Sequence, residues 1–444
     1  MRILHTADWH IGRVLHGRKR YEEFSAFLDW LVETIQEHNV DVVLVAGDVF
    51  DTTTPSNHAQ ELYYSFLYRV AGSVCRHVVV TAGNHDSPSF LTAPRALLRA
   101  LHIHVVGSSS PDPDDEVLVL RDEDEMPELI VCAVPYLRDR DIRLAEAGES
   151  IEDKERKLIE GIRAHYAAVG ACAERKRKEL GAVPPHTGRS ERNSAQSLRD
   201  IPIVGMGHLF TAGGKTLEGD GVRELYVGSL AHVTPAIFPD CFDYLALGHL
   251  HVPQKVGGLE TIRYSGSPVP MGFGEAGQPK SVCLLTFTPA GAGDTPDRGE
   301  PAAPAPDRTL EVQLITVPSF QRLERIRGNW NDIALRITEY AAEGSAAWLE
   351  VIYEGDELIS DLRERLETAT AGTRLEVLRV KNTRVIERVL GRMNEEETLE
   401  ELNVDDVFER CLSSQGVPEE QLPGLRQAYR ETLSSLHEED GRAE

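Results

Sequence analysis

Five short motifs carry the residue types that bind hard or borderline divalent cations: Asp8-Trp9-His10, Gly47-Asp48-Val49-Phe50-Asp51, Gly83-Asn84-His85-Asp86, Gly207-His208 and Gly248-His249-Leu250-His251. Asp and Asn oxygens mixed with His nitrogens favour manganese, iron or zinc over a thiolate-selected metal. A carboxylate can bridge two cations, and Asp48, in the middle of the set, is the candidate bridge. Two cations roughly 3.5–4 Å apart can activate a water and stabilise both oxygens of an in-line phosphoryl displacement. A histidine beside such a phosphate, as His85 would be, suits proton transfer or charge stabilisation. Each motif alone is weak. A lone buried histidine is more often a hydrogen-bonded core residue, Asp-x-His recurs by chance, and Gly-Asn-His-Asp could be a turn.

The weight comes from what precedes each motif. ILHTA (3–7), VVLVAG (42–47), HVVVTAG (77–83), IPIVGM (201–206) and DYLALGHLH (243–251) all read as strands, so every motif falls where a strand gives way to a loop. LIVCAV (129–134) is a further strand. Helical patterns intervene: Phe24, Leu28, Leu31 and Ile35 at spacings of four, three and four, then segments near 57–71, 90–101 and 151–180. Strands alternating with helices imply an α/β sheet with crossover connections, and in such sheets ligand sites gather at the carboxyl ends of the strands. Alternating Asp-x-His or His-x-His puts both side chains on one side if the backbone there is extended, and extended backbone is the expectation. Glycines before Asp48, Asn84, His208 and His249 permit close approach.

SVCLLTFT (281–288) and LEVQLITV (310–317) should pair as a hairpin around a Pro/Ala/Gly-rich solvated insertion. A smaller unit follows from about 319 to 385, in the order strand, helix (330–341), strand (348–353), helix (357–370), strand (374–380). The last 59 residues, 386–444, read as an acidic helical tail, with VFERCL (407–412) and Leu425, Tyr429 and Leu436 as apolar stripes. These suit either packing on the parent domain or, the reading preferred here because the tail is too small to bury a core alone, docking on a partner.

Composition is that of a globular chain: 41% hydrophobic and 27% charged over 444 residues. No apolar run approaches the roughly 18 residues of a membrane span, and the opening MRILHTADWH shows no signal-peptide pattern. Six dispersed cysteines without a Cys-x-x-Cys pair argue for a reducing cytoplasm. The net charge of −25 is concentrated in residues 111–130 and 391–444, and Arg13, Arg18, Lys19 and Arg20 form a basic cluster near the first motif. Global acidity therefore does not exclude DNA, although it points to weak affinity for the chain alone. The Gly213-Gly214-Lys215 run lacks the glycine spacing of a Walker A motif, so any ATP dependence must come from a partner.

The motif series resembles the calcineurin-like metallophosphoesterase superfamily. MRILHTADWHIGR, the GDVFD form of the second motif and RYSGSP (263–268) resemble its SbcD/Mre nuclease branch. The resemblance implies a layered β-sandwich flanked by helices over 1–318, a small α/β capping domain at 319–385 and a partner-docking tail at 386–444. It implies one cation held by Asp8, His10, Asp48 and His251 and a second by Asp48, Asn84, His208 and His249, with manganese as the productive metal. His85 would not be a ligand but would contact the scissile phosphate and assist the leaving oxygen. Asp51 and Asp86 would orient histidines or loops. The function implied is 3′→5′ exonucleolytic attack on double-stranded DNA ends and endonucleolytic opening of hairpins, in repair and recombination. The tail would dock on an SbcC-like SMC ATPase, the chain would be a homodimer within a heterotetramer, and the complex would be nucleoid-associated. The rivals are a small-substrate phosphodiesterase or phosphatase of the same superfamily and a catalytically silent scaffold for the ATPase. His5, His16, His58, His102, His104, His165, His186 and His232 lie outside the motifs and are taken as structural or surface residues.

Overall fold

The computed structural model describes residues 1–143, 149–182, 201–211, 233–289, 308–355, 359, 361–382 and 412. The 182–200 loop (all but its first residue), nearly all of the 289–309 insertion and, apart from Leu412, the tail with its stripes lie outside the described residues. The chain divides into two compact units, Met1–Glu324 with Ala346–Leu349, and Arg325–Ser345 with Glu350–Glu444.

In chain order the first unit runs β1 (Arg2–Thr6), a short ribbon of β2 (Val14–Leu15) and β3 (Arg18–Lys19), α1 (Tyr21–Glu37), β4 (Val42–Ala46), α2 (Asn57–Ala71) and β5 (His77–Thr81). Then come α3 (Pro88–Thr92), α4 (Arg95–Arg99), β6 (Ile103–Val106), β7 (Val117–Arg121), β8 (Pro127–Ala133), α5 (Asp139–Ile142) and α6 (Ile151–Ala182). β9 (Ile203–His208), β10 (Tyr244–Gly248), β11 (Gln254–Val256), β12 (Leu259–Tyr264), β13 (Lys280–Pro289) and β14 (Arg308–Val317) follow.

These strands make two six-stranded sheets, ordered β14-β13-β1-β4-β5-β6 and β11-β12-β10-β9-β8-β7. In the first, β1, β4, β5 and β6 are parallel. In the second, β8, β9, β10 and β12 are parallel. The strand period of two divides the side chains cleanly. Val42, Leu44 and Ala46 of β4 join Leu129, Val131, Ala133, Val204, Met206 and Ala246 in one buried layer between the sheets. Val43 and Val45 face outward instead, against Phe24, Phe27, Leu31, Phe66 and Val70 of α1 and α2. Ile130 and Cys132 face outward from the second sheet against Leu158, Ile162, Tyr166 and Val169 of α6. Both sheets are therefore covered on both sides, which is why their central strands read as continuous apolar runs. The result is the layered sandwich, helices outside and two sheets within.

Most expected elements form close to their expected bounds, and the hairpin pairs Ser281 with Thr316 and Phe287 with Leu310. The single helix expected near 90–101 is two short ones, because Pro94 begins α4 and cannot extend the hydrogen-bond ladder of α3. β2, β3, β6, β7, β11 and β12 were not anticipated.

The second unit is built on a sheet ordered β15 (Leu323–Gly328), β16 (Trp348–Tyr353) and β17 (Glu376–Asn382), with α7 (Trp330–Ala342) and α8 (Leu362–Thr370). Ile326, Ile333, Ile337, Val351, Leu362 and Leu366 are its buried apolar residues. Glu350, also buried, meets Arg325 at 2.5 Å, Arg379 at 3.2 Å and Lys381 at 3.3 Å. Among the described residues no helix is long and apolar enough to cross a membrane.

Candidate metal centre

The parallel strands of both sheets end at one edge, and the motifs follow directly. Asp8 and His10 leave β1, Asp48 leaves β4, Asn84 and His85 leave β5, His208 ends β9, and His249 and His251 leave β10. Their side chains gather into two adjoining clusters, Asp8–His10–His251 and Asp48–His208–His249, with a third grouping of His10, Asp51 and His85 beside them. Asn84 joins the second cluster: its Oδ1 lies 3.0 Å from His208 Nε2 and 2.9 Å from His249 Nδ1. Asp48 Oδ2 lies between the clusters, 3.3 Å from His208 Nε2 and 3.6 Å from His10 Nε2.

The extended backbone expected at these positions is not what forms. Asp8 (φ 55°), His10 (φ 48°), Asp48 (φ 49°) and His249 (φ 102°) all have positive φ. That conformation costs a non-glycine residue about 1–2 kcal/mol. Main-chain bonds hold it in place: Asp8 N–H donates to Gly47 O at 3.1 Å, His10 N–H to Asp48 O at 3.0 Å and Ile11 N–H to Val49 O at 2.9 Å. His249 N–H donates to Asp8 Oδ1 at 2.8 Å. The side chains converge through these kinks rather than through strand alternation. Close packing adds a second constraint, since a Cβ at Gly83 would overlap Asp48 Oδ1.

The donor set fits divalent cations on its own geometry. Ligand atoms around an octahedral ion with bonds of about 2.1 Å stand about 3 Å apart, and these side-chain atoms are spaced at 2.9–3.6 Å. His10 Nε2 and His251 Nε2 face each other at 3.2 Å, while their Nδ1 atoms face Asp51 Oδ1 and Glu275 Oε1, both at 3.4 Å. Protons drawn to Nδ1 leave two lone pairs opposed across 3.2 Å, an arrangement a cation satisfies. Asp8 Oδ2 is buried with no hydrogen-bond partner, as expected of a ligand atom.

Electrostatics divides the histidines. Burial lowers His10 to about 4 and His249 to about 3, leaving both neutral and ready to ligate. Burial also disfavours charge on His208, but the Asp48 carboxylate outweighs it and raises the imidazole to about 9. Asp48 responds in kind: burial opposes its charge, His208 and His10 prevail, and its carboxyl is held well below the usual range. Burial raises Asp8 to about 6 against the pull of His208 and His251.

His85 stands at the edge of the clusters. Its ring is 4.8 Å from that of His10, its Nδ1 donates to the Asp51 carbonyl at 2.8 Å, and its N–H donates to Asp48 Oδ1 at 2.9 Å. Asp86 accepts the main-chain N–H groups of Val49, Phe50 and Gly83 at 2.8–3.1 Å and so ties the second motif to the third. Asp51 also receives Arg13 at 3.0 Å. Glu275 and Lys280, behind His251, belong to none of the five motifs and were missed. Only their buried positions mark them.

The histidines outside the motifs are engaged elsewhere. His5 bonds Tyr244 Oη at 3.1 Å between the sheets, His165 bonds Glu116 at 2.8 Å, and His16 and His58 stack on Phe273 and Tyr21. His102 and His104 flank His77. His186 and His232 lie outside the described residues.

Comparison with known proteins agrees with the geometry. The calcineurin-like phosphoesterase family matches residues 1–139, and the type 5 capsule protein repressor C-terminal domain family matches residues 319–416. The SbcD subunit of the SbcCD nuclease of Escherichia coli (strain K12) is 35% identical over 443 residues, 98% of either chain. Its counterpart in Rhodobacter capsulatus is 35% identical over 368 residues, 78% of this chain and 83% of the relative. That of Bacillus subtilis (strain 168) is 34% identical over 290 residues, 65% and 67% respectively. Full-length similarity together with a phosphoesterase centre places the function in the nuclease class, and the chain belongs to the family of SbcD subunits of SbcCD nucleases, as a metal-dependent phosphodiesterase of the calcineurin-like type.

Proposed function

We propose that the chain is a manganese-dependent 3′→5′ exonuclease of double-stranded DNA ends and an endonuclease of DNA hairpins. It works in the cytoplasm, at the nucleoid, with an SbcC-like SMC ATPase. The observation that carries this is the convergence of Asp8, His10, Asp48, Asn84, His208, His249 and His251 into two clusters joined at Asp48. Asp8, His10, Asp48 and His251 would hold one cation, and Asp48, Asn84, His208 and His249 the other. Two such cations supply Lewis-acid stabilisation of phosphoryl charge and lower the pKa of a water.

The remaining work falls to the chain. Asp48 sets the distance between the two clusters and, through Oδ1, fixes the main chain at His85. Because the Asp51 carbonyl can only accept, His85 Nδ1 carries a proton and Nε2 is the atom left for substrate. There a protonated Nε2 hydrogen-bonds the scissile phosphate and gives its proton to the departing oxygen. Asp51 and Asp86 hold His10 and the 47–51 loop in place.

Residues 1–318 form the catalytic domain in this reading, 319–385 a capping domain that positions DNA, and 386–444 the docking tail. The relatives are named as subunits of an SbcCD nuclease, which supports an SbcC partner for this chain. A homodimer within a heterotetramer completes the assembly.

The test is digestion of 3′-labelled linear and hairpin-ended duplex with manganese, by the chain alone and with its ATPase, beside Asp48→Ala. Cleavage absent from the variant is expected. Turnover of a small phosphodiester with both DNAs left intact would replace this reading with the small-substrate branch.

A further inference from the structure

The two clusters differ in what stands behind their histidines. His208 Nδ1 donates to a neutral main-chain carbonyl, Ala46 O, at 2.9 Å. His251 Nδ1 faces a carboxylate, Glu275 Oε1, at 3.4 Å. Glu275 is wholly buried, and so nearly is Lys280, which pairs with its other oxygen, Oε2. Met271 N–H at 3.1 Å and Ser267 Oγ–H at 3.3 Å donate to the same oxygen. Lys280 Nζ also donates to His251 O at 3.1 Å and Ser267 Oγ at 3.0 Å. One ammonium thus grips both the main chain of His251 and the carboxylate facing its ring. Apart from the His251 ring it faces, Oε1 has no hydrogen-bond donor among the described residues, so the charge of that oxygen is directed at the imidazole.

A buried ion pair is costly to assemble and weak as a source of stability. Here it has a geometric effect. A carboxylate opposite Nδ1 holds the proton there, turns Nε2 toward Asp8 and His10, and increases the basicity of the ligating nitrogen. Lys280 fixes the Glu275 rotamer and keeps the carboxylate from entering the cluster as a ligand itself.

We propose that Glu275, clamped by Lys280, is the positioning residue of the Asp8–His10–His251 site, setting its cation affinity without touching cation or substrate. This rests on the two-cation reading above and extends it to residues outside the motifs. The selectivity is specific: the bonds of Glu275 and Lys280 described above run to His251 and its own loop rather than to Asn84, His208 or His249, so the Asp8–His10–His251 site should respond and the other should not.

The experiment is titration of metal-stripped full-length chain with Mn2+, followed by calorimetry and by the electron paramagnetic resonance signal of free Mn2+. Wild type, Glu275→Gln and Glu275→Ala are compared, with circular dichroism to monitor folding. Glu275→Gln keeps the shape and removes the charge. It should leave one site at wild-type affinity and weaken the other by about 10–100-fold, with Glu275→Ala at least as weak. Two undiminished sites in a folded Glu275→Gln protein would overturn the proposal, as would equal weakening of both sites. Wild-type chain that binds fewer than two cations would instead overturn the two-cation reading and this inference with it.

Discussion

Asp48 and His85 are bound to one another through the main chain: Asp48 Oδ1 accepts the His85 N–H at 2.9 Å, while Asp48 Oδ2 faces His208 and His10. The residue placed between the two cation sites therefore also sets where the proposed proton donor stands. The coupling is lopsided, because the His85 ring hydrogen-bonds the Asp51 carbonyl and reaches the Asp48 carboxylate only electrostatically.

That asymmetry makes His85→Ala separable from ligand loss. Turnover should fall by about 10²–10⁴-fold, the range for one general acid, with both cations retained. Metal analysis of the purified variant decides the matter, since an empty site would make His85 a ligand.

Gly83→Ala should do the opposite. Its Cβ would overlap both Asp48 Oδ1 and the Asp48 main-chain N, and the second of these is backbone that cannot swing aside. Loss of both cations and destabilisation of roughly 2 kcal/mol or more are expected. Denaturant unfolding combined with metal content checks it, and a stable variant with two cations would show that the loop has slack.

Removing the metal from wild-type chain should lower its thermal midpoint. Opposed imidazoles at 3.2 Å and the unpartnered Asp8 Oδ2 leave the clusters unsatisfied without it. A cation at a hundred times its Kd stabilises the fold by about 2.7 kcal/mol. Scanning calorimetry with chelator and with graded manganese would read this directly, and a midpoint indifferent to both would count against a cation site.

In the second unit, stability should depend on acid through Glu350. Burial opposes its charge, but Arg325 and Lys381 outweigh burial and lower its pKa. A carboxyl lowered in the folded state contributes stability above its unfolded value, and that contribution disappears as pH falls through the folded value. Glu350→Gln should therefore cost about 1–3 kcal/mol near neutral pH and much less in acid below the folded value. Chemical denaturation at both pH values tests it, and a difference that does not change with pH would place the effect in packing rather than charge.

The strand ends were readable because β1, β4, β5, β9 and β10 are buried on both faces and so are mostly apolar up to each motif, His5, Thr6, His77 and Thr81 being the buried polar exceptions in β1 and β5. Strands at or next to a sheet edge lack that signal: β12, with Glu260 and Thr261 exposed, looks like loop, and the edge strand β7 lies inside an acidic stretch. Residue type also conceals conformation. Nothing in Asp8, His10 or His249 announces positive φ, because partners distant in sequence impose it. Glu275 and Lys280 were invisible for a related reason, being an acid in a turn and a base at the first residue of β13 until the fold buries both against His251.

Each proposed cation site takes ligands from both sheets. Asp8, His10, Asp48 and Asn84 hang from the first sheet and His208, His249 and His251 from the second. The spacing of the centre is therefore set by the thickness of the apolar layer between the sheets, where Ile3, Leu44, Val131 and Met206 interlock. A methyl group trimmed from that layer, far from any phosphate, would act as a change of calibre at the catalytic edge. In such a molecule, repacking the interior becomes a way to tune the chemistry.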